Sequence, residues 1–133
     1  MRQSIFPFSP RCIALATVAA GTLVQAAPDL LLPLKPGTYV VSSYKPCEEA
    51  PLAGVMVFDG KAFAGPHESS CSSAVVSRHG KTYDVVTECR AHGDGTPQTP
   101  TKWSQSMRLE SSSSFAVTVN GQPVRYDLCT KFR

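Results

Sequence analysis

What this chain lacks narrows what it does. It has no run of lysine or arginine, and its 13 basic residues are spread along the chain against 10 acids, so it offers no concentrated basic face for nucleic acid or anionic lipid. It has no Cys-x-x-Cys pair, and so no local knuckle of two thiolates for zinc. No Gly-x-Ser-x-Gly elbow presents a nucleophilic serine, and serines in turns use their hydroxyls to bond local backbone. Gly60, Gly65, Gly80 and Gly121 are scattered and none leads into a helix, which excludes a phosphate cradle. Glu48 and Glu49 are adjacent in a turn and point apart, a poor arrangement for a shared proton. No catalytic constellation, cofactor motif or metal-ligand set emerges.

The start of the chain also lacks acid. Arg2 and Arg11 precede an apolar run from Ile13 to Val24, which ends at Gln25, Ala26 and Ala27, and Asp29 is the first carboxylate. A basic start, about a dozen apolar residues and small residues before the cut make a secretory signal peptide. Cleavage is expected after Ala26 or Ala27. A spanning helix needs roughly 20 apolar residues, and Pro28-Asp29 interrupts this run well short of that, so no membrane span is expected in the mature chain. Cys12 precedes the apolar run, the wrong place for a lipid-bearing cysteine. Removing 26 residues from 133 leaves 107, enough for one domain with a modest core. The leader takes two arginines and no acid, so the mature chain is nearly neutral. Export to the periplasm or the exterior is the expected address.

Losing Cys12 leaves Cys47, Cys71, Cys89 and Cys129. An even number in an exported chain implies two disulfides. Four cysteines allow three connectivities. Joining neighbouring loops favours Cys47 with Cys71 and Cys89 with Cys129.

The mature chain reads as short strands separated by turns. Residues 27–36 carry four leucines broken by Pro28, Pro33 and Pro36 and are expected to form an extended, loosely held arm. Strands are expected at Thr38 to Ser43, Val55 to Phe58, Lys61 to Ala64, Ser73 to Ser77, Lys81 to Cys89, Lys102 to Glu110, around Phe115 to Val119, and through Val124 to Leu128. The fifth and sixth alternate cleanly between faces, as half-buried strands do. Asp59-Gly60 and Asn120-Gly121 are signals for tight hairpins, and Arg78-His79-Gly80 marks another. Nothing after residue 27 has a helical stripe. The fold expected is all-β, a small antiparallel meander of about eight strands closing into a barrel or sandwich. In a plain meander Cys129 lies at the opposite end from the other three cysteines. One strand or loop path must therefore differ, and residues 90–101, with Gly93, Gly95, Pro97 and Pro100, are the expected place and the first candidate for a working loop.

Among chemistry-bearing residues His67 and Glu68 are neighbours in the loop before Cys71. His67-Glu68-Ser69-Ser70-Cys71 matches the zinc-protease spacing except at its last position, where a cysteine replaces the second histidine. His79 is placed at a hairpin tip and His92 in the 90–101 loop. Trp103 and Tyr126 fall on core faces. Tyr44 lies near a strand end, where an exposed aromatic can anchor a partner. His67, Glu68, Arg90, His92 and Tyr44 are the candidate binding residues.

Gly37-x-Tyr39, Cys47 followed by Ala50-Pro51, Phe58-Asp59-Gly60, His67, Cys71, and Tyr83-x-Val85 leading to Cys89 together resemble small exported proteins of proteobacteria. That resemblance implies a periplasmic address and brings no activity with it. In size, export and disulfide use the chain is also similar to periplasmic lysozyme inhibitors, a likeness of architecture alone. The function expected is a non-enzymatic protein-binding module of the cell envelope, of inhibitor or immunity type, with an envelope or extracellular protein as partner. Two other classes stand beside it: a small hydrolase using His67 and Glu68, and a small-ligand carrier if the sheet encloses a cavity.

Overall fold

In a computed structural model the described residues are 29–132; the expected leader lies outside them. Eight strands form one sheet: β1 Gly37–Val41, β2 Val55–Phe58, β3 Phe63–Ala64, β4 Glu68–His79, β5 Thr82–His92, β6 Pro97–Ser111, β7 Ser114–Val119 and β8 Gln122–Leu128. The expected all-β meander is therefore present. Its order is β3-β2-β1-β8-β7-β6-β5-β4, with every pair antiparallel. The first strand pairs with the last, Tyr39 opposite Leu128 and Val41 opposite Tyr126, and this contact curls the meander into a nearly closed barrel. The ring has one gap, between β3 and β4. No helix among the described residues is long and apolar enough to cross a membrane.

Alternation decides what faces inward. On β5 Tyr83, Val85, Thr87, Cys89 and Ala91 are buried, while the residues between them are partly exposed. Tyr39, Phe58, Phe63, Phe115 and Met107 fill the interior with no exposed surface. The rings of Phe58 and Phe63 stack at 4.6 Å, and Phe115 lies 5.2 Å from Tyr126 and 5.1 Å from Tyr39, geometries that stabilise beyond area burial. Trp103 and Tyr126 pack against this cluster but are only half-buried.

The arm before β1 departs from expectation. It forms no strand, yet Leu32 and Leu34 are each 1% exposed and belong to the central cluster. Hydrogen bonds fix both sides of it: Leu31 N–H donates to Gly60 C=O at 2.8 Å, and Lys35 N–H to Ser112 C=O at 2.8 Å. Gly60 and Ser112 sit in turns at the same barrel end, so the arm crosses that mouth and inserts two leucines. The prolines prevent a helix, the chain bends through residues 31–34 with Leu34 N–H donating to Leu32 C=O at 2.7 Å, and the leucines seat it.

One turn behaves as the sequence suggests. Asn120 and Gly121 take positive φ (49° and 77°) between paired Val119 and Gln122, as a two-residue hairpin requires. A second two-residue turn lies at Gly80-Lys81, later than the expected Arg78-His79-Gly80, because Arg78 and His79 stay in β4, paired with Tyr83 and Thr82. The Asp59-Gly60 turn differs: Phe58 pairs with Phe63, and four residues intervene. The Asp59 carboxylate accepts from Lys61 N–H at 2.8 Å and Ala62 N–H at 2.7 Å. Its side chain thus replaces the tight turn with a wider one, which shortens β3 to two residues.

The disulfides join Cys47 to Cys129 and Cys71 to Cys89, correcting the expected pairing. Cys71 and Cys89 are directly opposite on β4 and β5. The misread path is not residues 90–101. There β5 runs on to His92 and β6 begins at Pro97, leaving a short hairpin loop in place of a long working loop. Extra length is absorbed as an irregularity, because Cys89 faces Thr101 whereas Ala91 faces Pro97. The crossing segment is instead 42–54, which folds back over the outer face of β1. It buries the outward-facing Val40 together with Val55, and brings Cys47 to Cys129 with Ala50 and Phe132 packed alongside.

Candidate functional site

The break between β3 and β4 is where the ring of backbone hydrogen bonds stops. β3 has two residues and β4 has twelve. Across the break Phe63 N–H donates to the Ser73 hydroxyl at 3.0 Å, and that hydroxyl lies 2.7 Å from Thr87 Oγ1. Beyond Ser73, towards His79, no strand of the described residues pairs with the outer side of β4.

The direction of each backbone group there follows from the ladder. Leu109 N–H donates to Lys81 C=O at 2.9 Å, so odd-numbered residues of β5 turn their hydrogen-bonding groups towards β6. Their partners Ser73 and Val75, opposite Thr87 and Val85, therefore form wide-ring, non-hydrogen-bonded pairs with β5. The 4.0 Å Cα separation of Cys71 and Cys89 agrees, since such pairs are the closer ones. The N–H and C=O of Val75 point outward, with no strand partner among the described residues. After the register shift between Val75 and Ser77, Arg78 opposite Tyr83 occupies the same outward-bonding position.

The side chains on this edge are apolar and then basic. Val76, the bulged residue, is 64% exposed and Val75 is 36% exposed. Arg78 lies over the Tyr83 ring at 4.9 Å and its Nε donates to Gly80 C=O at 3.0 Å. A cavity of about 260 Å³ beside it is lined by Pro33, Arg78, Lys81, Tyr83, Leu109, Glu110 and Ser111. Glu110 there is held by Arg108 at 3.1 Å and Arg125 at 3.2 Å. Arg78 and Lys81 make no salt bridge among the described residues. On the outer face Asp84 accepts from Ser77, and the hydroxyls of Ser77 and Ser106 hold its carboxyl below the ordinary range.

The candidate binding residues divide. His67, Glu68 and His92 come together at the barrel end opposite the leucine arm: Glu68 faces His92 across β4 and β5, and Gly93 N–H donates to His67 C=O at 2.8 Å. Glu68 is occupied locally, accepting from Gly65 N–H at 3.3 Å and the Thr101 hydroxyl at 3.0 Å. It forms part of a cavity of about 340 Å³ that follows the start of the break. Both histidine side chains are exposed. Arg90 lies elsewhere, on the outer face of β5, 2.6 Å from Glu88. Tyr44 belongs to the returning 42–54 segment, where it packs on Gly54 so closely that a Cβ there would stand 2.7 Å from its ring. It lines a third cavity, about 350 Å³, of mixed charge with Lys45, Glu48, Asp127 and Lys131. The five residues thus make no single site. Cys47, Glu48 and Cys129 lie within 4.8 Å of one another, but their two sulfurs are bonded to each other, which removes both thiolate ligands.

Sequence reasoning missed the β4 edge. Its signal was the run Ala74-Val75-Val76 within a serine-rich strand, three apolar residues where alternation allows one face. Comparison of this chain with family models, curated proteins and solved structures finds no match.

Proposed function

We infer that the protein is a non-enzymatic binding module of the cell envelope that takes an extended segment of another protein onto the free edge of β4. One observation carries this reading: an outward-facing backbone at Val75 and Arg78 with no strand partner among the described residues, beside the exposed side chains of Val75 and Val76. An unpaired edge is a template for strand addition, in which main-chain hydrogen bonds give affinity and alternate side chains give selectivity. The rest of the barrel supports it, because two disulfides and the β1–β8 closure hold the template rigid, which lowers the ordering cost of binding. The disulfides and the leader-like start agree with an exported address. An inhibitor or immunity-type role falls within the same reading.

The test uses oxidised protein of residues 27–133 as bait for envelope proteins, beside Val75→Pro and Val76→Lys. Proline at an outward-facing edge position removes one N–H while leaving the ladder to β5 intact. The expected result is a stoichiometric partner retained by the unaltered protein and lost from both variants, with their far-UV circular dichroism unchanged. Equal retention by all three would overturn the reading.

A further inference from the structure

We propose that the segment β4 accepts is an apolar strand with a carboxylate at the end lying beside Arg78 and Lys81. This rests on the strand-addition reading and deepens it to the chemistry of the partner. The free part of β4 runs from Ala74 to His79, apolar at Val75 and Val76 and cationic at its far end, where Arg78 is followed closely by Lys81. The guanidinium of Arg78 is already oriented by the Tyr83 ring and the Gly80 carbonyl. Its freedom is therefore largely spent before any ligand arrives.

No acid among the described residues pairs with these two cations. Glu110, the acid lining the same cavity, is neutralised by Arg108 and Arg125, and Asp127 also bonds Arg125 at 3.1 Å. Asp84 faces the other side of the sheet, where its carboxylate accepts from Ser77. The 260 Å³ cavity between Arg78, Lys81 and Pro33 admits a single acidic side chain. All pairs in the barrel are antiparallel, so the incoming strand runs antiparallel to β4 and its carboxylate sits near its N-terminal end. Its alternate residues then cover Val75 on the inner side of the gap.

The test measures binding of three acetylated heptapeptides of alternating valine and threonine, ending at their N-terminal side in two glutamates, two glutamines or two lysines. Fluorescence anisotropy with the oxidised protein should rank glutamate above glutamine above lysine. The glutamate peptide should bind about three- to tenfold more tightly than the glutamine peptide at low salt, and Arg78→Gln or added salt should erase that difference. Equal binding of all three peptides would overturn the acidic-partner proposal while leaving strand addition standing. Binding of none would overturn both. Pairing of two copies through β4, detected as a dimer in size-exclusion chromatography that Val76→Lys dissolves, would also overturn it, because the free part of β4 carries Arg78 and no carboxylate.

Discussion

Replacing Leu34 by alanine should cost far more than its place in a proline-rich arm suggests. Leu34 and Leu32 are 1% exposed and pack with Tyr39, Phe58 and Phe115. Truncating a buried leucine removes its transfer free energy and leaves a cavity, about 2–5 kcal/mol together. A domain the size of the described residues, near one hundred, should have a total stability of about 5–15 kcal/mol. A loss of about 3 kcal/mol would lower the melting temperature by about 12–24 °C and the urea midpoint by about 1–3 M. Trp103, half-buried against the same core, reports the transition by its fluorescence. Leu30 is the internal control: it lies in the same arm but is 39% exposed, and Leu30→Ala should change stability by less than about 0.5 kcal/mol. If Leu34→Ala behaved like Leu30→Ala, the arm would not be seated in the barrel, and the account of how that mouth is closed would be wrong.

The two disulfides should differ in worth, because Cys47–Cys129 closes 82 residues and Cys71–Cys89 closes 18. Loop-closure entropy gives about 4.5 and 3.2 kcal/mol, so the alanine pair at 47 and 129 should melt lower than the pair at 71 and 89; the reverse order would show that restricting the unfolded chain is not what matters. Peptide mapping under non-reducing conditions should recover the same pairs. Stability should fall at both pH extremes. Hydrogen bonds from Thr96 hold the Asp94 carboxyl below its usual range, as those of Ser77 and Ser106 do for Asp84; burial opposes the shift at Asp127, but Ser42, Ser114 and Arg125 outweigh it. Folded values below the unfolded one contribute stability that is present above about pH 4 and lost as pH falls through the folded values. Burial raises Tyr39 and, with the nearby Tyr44, Tyr126, so their contribution is intact below about pH 10 and lost as pH rises further. Thermal melts from pH 2 to 12 should trace a plateau with both limbs. A single limb would contradict one of the two sets.

The strands were legible because their faces alternate. Tyr83, Val85, Thr87 and Cys89 could be placed inward from spacing alone, and Asn120-Gly121 marked its turn. The sandwich alternative was open until the β1–β8 pairing, a contact between residues about ninety positions apart that no local pattern encodes. The cysteine pairing was misread for a similar reason. The return of residues 42–54 over β1 is driven by covering Val40 and Val55, and burial of an outward-facing residue is invisible to alternation. Length was misjudged where polar strands are held by their partners: Glu68 to Ser72 and Pro97 to Thr101 have little intrinsic strand character, but each lies against β5. His67, Glu68 and His92 were singled out by residue type and do come together, while Arg90 and Tyr44 do not join them. The β4 edge was overlooked because an edge is defined by the absence of a neighbour, which only topology supplies.

Amide hydrogen exchange of the free, oxidised protein, read residue by residue by NMR, tests the claim of an open edge most directly. The Val75 amide should exchange nearly as fast as unstructured backbone, although it lies within a twelve-residue strand, while Ala74 and Val86, which share a hydrogen-bonded pair, should be strongly protected. A Val75 amide already protected in the monomer would mean that the edge is occupied, and the binding surface would have to be sought elsewhere.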